Sequence, residues 1–508
     1  MQKQSLNKRG EIDKEKLREG LNDIGATILT EGETTWLVEH KKTNIEIDII
    51  EGDVKEHTGD ISELPLKPSD DIANESTEFI TDYGTIEVIW LKQTTNTVAT
   101  EPNEPNLYSG SSALQPVTWT YNSANKTWTE DATAKSTWYN YAEGNGKADN
   151  LASMWANAKN TDGSYFVWIP RYAYRITYYS DADYNNVTGY YDGYGMWKAE
   201  DGSKKYDLDA GIETVEYNGK KYIVHPAFTS NVDNGGWGKN TSGFWVAKYE
   251  MSKTGASETS SGSGSTFYSL PSVQSARSIN IGNMYTYSRA YDADKESHLI
   301  KNSEWGAVAY LTQSQYGRNG HEIDINNSRS YVTGNGGGAV GGSVSYVSGV
   351  TNYYNTETGA KASTTGNVYG IYDLSGGAWE YTASFNKLGN SSYVEGSSYG
   401  LNMTKEAKDE EGNYISTKYI TAYSNGTNSG SGAVLYTTGK VGDATKEVRK
   451  MSSSFTAWFN DYSYVASSTV PFFLRGGNYS SDSYEGVFCS DGYNGDSGSA
   501  SIRVVLGE

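Results

Sequence analysis

One cysteine, five histidines and nine prolines are all that 508 residues hold of these three types. The lone Cys489 excludes an internal disulfide framework and any cysteine-based zinc site. His40, His57, His225, His298 and His321 show no metal-ligand spacing such as HxxxH, so chemistry built on a histidine cluster is not expected. Positive charge is scarce as well: 42 Lys and Arg against 62 Asp and Glu leave a formal −20. Without a basic stripe the chain has nothing to neutralise phosphates, so no nucleic-acid partner is expected, nor electrostatic docking to an anionic membrane. No apolar run reaches 18 residues, and nothing near Met1 reads as a signal-peptide core. The expectation is a chain soluble as written, or one held to a membrane only through an anchor absent from it.

What is abundant is glycine and aromatic rings. Fifty-six Gly, 42 Tyr, 13 Trp and 11 Phe accompany a hydrophobic content of only 36%. That many rings set the chain apart from disordered sequences, and the glycines call for many turns between short strands. The composition predicts an α+β protein, β-rich with few helices and long loops.

Along the chain, Ile12, Leu17, Leu21 and Ile24 space as one helical face that Gly25 would stop. "TWLVEH", "NIEIDII" and "GTIEVIWL" then alternate as strands, so residues 1–97 read as a small helix-plus-meander domain. "KQTTNTVATEPNEPNLYSG" has two prolines among small polar residues, which reads as a linker; a boundary is expected near 97 and a lead-in over 98–164. From 165 to 508, Gly/Ser/Asn/Tyr tracts alternate with compact hydrophobic signatures. Two of these, "YFVWIPRY" and "GFWVAKYE", are alike as two strands of one pattern are alike. "SEWGAVAYLTQSQYG" predicts a helix, with Ser303 as N-cap, Glu304 in the first turn, and Trp305, Val308 and Leu311 on one side. The tracts 257–265 and 332–345 read as loops, where recognition is commonly housed.

Four blocks in order, "GFWVAKYEMS", "LIKNSEWGAVAYL", "IYDLSGGAWEYTASF" and "LRGGNY…IRVVL", resemble the formylglycine-generating-enzyme branch of the C-type lectin fold over about residues 165–508. Structural roles are expected for Trp379, Glu380, Arg475, Gly476, Gly477 and Arg503, with Trp379 in the core; the Arg475 guanidinium is expected to pair with an interior acid such as Glu380 or Asp373, an anionic ligand being the other reading. The oxidases of that branch place a cysteine pair after the "RGG" strand. Here Ser481 and Glu485–Gly486 stand in that stretch and Cys489 is alone, so no enzyme is expected and no catalytic residue is assigned. Some members hold calcium beside the Trp-Glu block. Glu380 and the Ala378 carbonyl remain available for it, but Gly377 stands where an Asn ligand is usual, so no cofactor is expected and calcium is the one to test.

The closing stretch is similar to the variable region of proteins diversified by retroelements, which rewrite template AAY codons at their adenines. Lys, Glu, Gln, Trp and Met cannot arise that way. From Asn478 to Ser501, 19 of 24 residues are Ser, Gly, Asp, Tyr or Asn, and Glu485 alone falls outside the reachable set. The expected frame points Leu474, Val487, Phe488, Ile502, Val504 and Leu506 inward. Tyr479, Ser480, Ser481, Asp482, Tyr484, Ser490, Asp491, Tyr493, Asn494, Asp496 and Ser499 then form the ligand surface. Tyrosine offers broad, rigid contact area with few rotors, and Ser, Asn and Gly adapt hydrogen bonds, the mixture antibody loops use. The partner expected is a protein or glycan on another cell or surface. A fixed lectin and, further off, an oxidase are the alternatives. The first domain loosely resembles the globular part of a type IV pilin or pseudopilin, with an unrelated adaptor as the other reading. The implied setting is the cell surface or extracellular space, on a pilus or a phage particle.

Overall fold

The two look-alike segments lie side by side. Strand Tyr165–Pro170 pairs antiparallel with Gly243–Ala247, and Trp168 faces Trp245 across the ladder. The rings meet at a centroid distance of 5.4 Å, and every residue of both strands is buried. A strand covered on both faces has no reason to alternate with polar residues, which accounts for the near-continuous apolar text.

The computed structural model describes residues 27–31, 35–40, 43–50, 53–56, 84–131, 138–144, 153–178, 211–337, 345–424, 439–445, 447–448, 456–480, 484–496 and 498–508. The chain divides into two units, Met1–Glu75 and Ser76–Glu508. In the first, Thr27–Glu31, Thr35–His40, Thr43–Ile50 and Asp53–Glu56 form a four-stranded antiparallel meander. The helix expected over Ile12–Ile24 lies outside the described residues.

The second unit is β-rich, built from several sheets and a few short helices. Its six-stranded sheet runs His298–Leu299, Val504–Leu506, Gly243–Ala247, Tyr165–Pro170, Asn157–Lys159, Gln115–Val117. A four-stranded sheet orders Thr214–Tyr217, Lys220–Val224, Tyr172–Tyr178, Gly84–Trp90. Another orders Thr421–Tyr423, Glu380–Asn386, Phe472–Gly476, Gly486–Tyr493. Elements of all three sheets contribute to one large apolar core, in which Trp155, Trp168, Trp245, Trp305, Phe385, Trp458 and Phe488 are buried.

Three expectations are corrected here. The domain boundary falls at 75/76, not near 97, because Gly84–Trp90 is tied along its whole length to Tyr172–Tyr178. Residues 98–164 are not a linker, since Gln115–Val117 and Asn157–Lys159 are strands of the main sheet. The proline-bearing stretch has its own reason to be held: the buried indoles of Trp168 and Trp245 need acceptors, and their N–H groups donate to the Asn103 and Asn106 carbonyls at 3.1 and 2.7 Å. Helix Asn302–Gln313 forms as expected, but its N-cap is Lys301. Glu304 accepts the Lys301 amide at 2.8 Å, while Ser303 Oγ donates to the Gly235 carbonyl at 2.7 Å. All twelve of its residues are buried, so Trp305, Val308 and Leu311 share the interior with the rest of the helix. The tract 257–265 runs from the turn of a hairpin into its second strand, Ser263–Ser269, which pairs with Met251–Thr254, and 338–344 lie outside the described residues.

A tyrosine-rich candidate binding face

The closing stretch is framed by strands. Phe472–Gly476 pairs antiparallel with Gly486–Tyr493, setting Phe472 against Tyr493, Leu474 against Asp491 and Arg475 against Ser490. Leu474, Val487, Phe488, Ile502, Val504 and Leu506 are all buried, as their apolar chemistry demands. Phe488 stacks on Phe459 at 6.2 Å with planes 4° apart and meets Trp458 edge-on at 5.8 Å. Gly476 and Gly477 turn the chain out of the strand at φ 83° and 79°. A Cβ on Gly477 would stand 2.5 Å from the Glu485 side chain, so glycine is required there.

Arg475 does not pair with Glu380 or Asp373. Its guanidinium donates to the Asp443 and Ala444 carbonyls, each at 3.2 Å, and lies over the Trp305 ring. Glu380 is already taken: Arg503 Nε meets its two oxygens at 3.2 and 3.0 Å and Nη2 reaches Oε1 at 2.5 Å. Arg503 also donates to the Ala247 and Tyr372 carbonyls, clamping three elements. Burial raises the Glu380 carboxyl, and the guanidinium opposes that shift. Trp379 is half-buried and packs against the core rather than within it.

This chemistry does not suit calcium. Both Glu380 oxygens carry a cation already, and Gly377, at φ 73°, would set a Cβ 2.7 Å from Glu250 Oε1. Among the described residues no group of three or more His, Cys, Asp and Glu is placed to hold a metal. Cys489 is fully buried, and burial pushes its thiol well above the usual range, away from the thiolate a nucleophile needs.

Of the expected surface residues, Tyr484 and Tyr493 are 53% and 42% exposed, two of the few large rings left in solvent. Ser480 and Ser499 are exposed, and Tyr479, Asp491, Asn494 and Asp496 are half-buried. Asn494 and Asp496 also shape the loop, accepting the amides of Asp496 and Gly498 at 3.0 Å. Ser490 is a correction: it is buried, with Oγ donating to the Tyr464 carbonyl at 2.6 Å, because a neighbouring segment covers that edge of the strand. Ser481 and Asp482 lie outside the described residues.

That segment supplies residues sequence reasoning missed. Tyr464 N–H donates to the Ser490 carbonyl and Ser490 N–H to the Tyr462 carbonyl, both at 2.8 Å, so 462–464 run parallel to the closing strand. The Tyr462 and Tyr464 rings lie 6.4 Å apart with planes within 5°. Their period-two spacing in "DYSYV" was the available signal. A second group gathers at Tyr479, whose ring meets Tyr331 edge-on at 5.0 Å and Tyr346 at 5.8 Å. The Arg277 guanidinium lies over Tyr331 at 3.8 Å and Arg329 near Tyr346 at 5.4 Å. Tyr493 lies beside Gly498, one residue before the exposed Ser499.

Burial lifts Asp491 from its ordinary 3.8 to about 6, and burial with the Asp491 charge lifts Tyr462 to about 12. No helix among the described residues is long and apolar enough to cross a membrane. No known family model matches the chain, and no curated protein matches it.

Proposed function

We propose that this chain is a recognition protein without catalytic activity, a C-type-lectin-like domain of the formylglycine-generating-enzyme branch carried on a small first domain. Its closing 30 residues present a ligand surface of the kind that retroelements diversify. The observation that carries the reading is the division of labour within Gly476–Ser501: apolar side chains lock into the core while Tyr479, Ser480, Tyr484, Tyr493 and Ser499 face outward or lie half-covered.

The resemblance gains support from how its four blocks meet. Arg503 of the last block holds Glu380 of the third and the Ala247 carbonyl of the first. Arg475 of the last lies over Trp305 of the second, and Ala378 of the third donates to Glu250 of the first at 2.8 Å. The protein or glycan partner would sit on another cell or surface, with the first domain acting as a pilin-like stalk at the cell surface or on a phage particle.

Comparing the gene's 3′ end with neighbouring DNA tests this. A near-copy differing only at adenines, beside a reverse transcriptase gene, is expected. Absence of both overturns diversification and leaves a fixed lectin.

A further inference from the structure

Asp491 is the unusual residue of the face. Among the described residues its one hydrogen bond is from the next amide, Gly492 N to Oδ1 at 2.7 Å, and none of their Lys, Arg or His side chains pairs with it. Glu380, in contrast, has both oxygens filled by Arg503. A half-buried carboxylate without a cation loses hydration, and one backbone N–H offsets only part of that loss. Rings stand beside it: Tyr462 and Tyr464 on the flanking segment, which pairs with the strand at Ser490 and so sets both on the Asp491 face, and Tyr493 two residues on, the same face by the period of two. A carboxylate bordered by ring faces is the arrangement that receives an ammonium or guanidinium, the acid supplying the charge and the rings their negative faces.

We propose that Asp491, Tyr462, Tyr464 and Tyr493 receive a lysine or arginine side chain of a basic protein partner. This rests on the recognition reading and names the chemistry of its partner. The chain's formal −20 favours the same occupant, since it steers positively charged surfaces toward the molecule and slows acidic ones. Tyr484, whose carbonyl accepts the Tyr462 amide, borders the same site and is half-exposed, so it is placed to cover the stem of the incoming side chain.

The test uses the full chain and a fluorescent peptide of four lysines spaced by Gly-Ser, at pH 7.5 and 0.15 M salt, beside the same peptide with every lysine acetylated. The wild type is expected to prefer the free lysines. Asp491→Asn should weaken that binding by about tenfold and Tyr493→Ala by about threefold. Glu411→Gln, at an exposed turn elsewhere, removes the same charge and should leave binding unchanged. Asp491→Asn is checked by its melting transition, and Tyr493→Ala, at an exposed ring, remains informative should that variant fail to fold. Equal loss in Asp491→Asn and Glu411→Gln would reduce the binding to diffuse attraction and overturn the proposal. So would a wild type indifferent to acetylation. Either failure leaves the retroelement reading intact, because that is decided on the DNA.

Discussion

Single residues divide into those that hold the frame and those that cost it. Arg503 and Glu380 are both fully buried, so removing one partner strands the other charge. Arg503→Met is expected to lower stability by about 3–5 kcal/mol, measured by denaturant unfolding. A loss near zero would mean the pair is dispensable. Asp491 behaves oppositely. Its folded-state pKa lies above its unfolded value, so the native state keeps a proton more readily and stability falls as pH rises from about 4 through about 6. Below both values the acid is protonated in either state and the penalty is absent. Asp491→Asn should therefore raise the melting temperature by about 2 °C at pH 8 and leave it unchanged at pH 3.5. An equal shift at both pH values would remove the burial of this carboxylate as the cause. Such a residue destabilises the fold where it stands, as functional residues often do.

Elements show where sequence reading succeeds and where it stops. The closing frame was legible because Leu474, Phe488, Ile502, Val504 and Leu506 can only be satisfied inside, and the strands Phe472–Gly476, Gly486–Tyr493 and Val504–Leu506 follow. The choice of Arg503 over Arg475 as partner of Glu380 was not. Arg475 is the cross-strand neighbour of Glu380 in the ladder, but its side chain extends to the 443–444 carbonyls, a contact 31 and 32 residues away that no local pattern encodes. Ser490 was misplaced for a similar reason: its covering segment at 462–464 arrives from outside the hairpin. The proline-bearing strap was misread because the residues that need it, Trp168 and Trp245, stand 65 and 139 positions away. Helix Asn302–Gln313 reaches the closing strands directly: Trp305 lies under Arg475, and its Nε1 donates to the Val487 carbonyl at 2.8 Å. Trp305→Ala should cost about 3–5 kcal/mol and, because that bond anchors the closing strand, weaken lysine-peptide binding as well. Stability lost with binding retained would show that the strand keeps its place without the indole.

At the scale of the whole molecule, the units divide at 75/76, and the unit beginning at Ser76 contains the closing strands and every described residue of the candidate face. A fragment of residues 76–508 is expected to melt within about 2 °C of the corresponding transition of the full chain, since this unit has its own apolar core. A markedly lower transition would mean that the first unit supports the second.

The central claim is that a rigid apolar frame tolerates exchange of the side chains it displays. Replacing Ser480, Tyr484, Tyr493 and Ser499 together, as Ser480→Tyr, Tyr484→Ser, Tyr493→Ser and Ser499→Tyr, tests it in one melting experiment beside Phe488→Ala. The fourfold exchange should move the transition by about 2 °C or less, while the single core truncation costs about 3–5 kcal/mol. A fourfold variant that unfolds as early as Phe488→Ala would contradict the account.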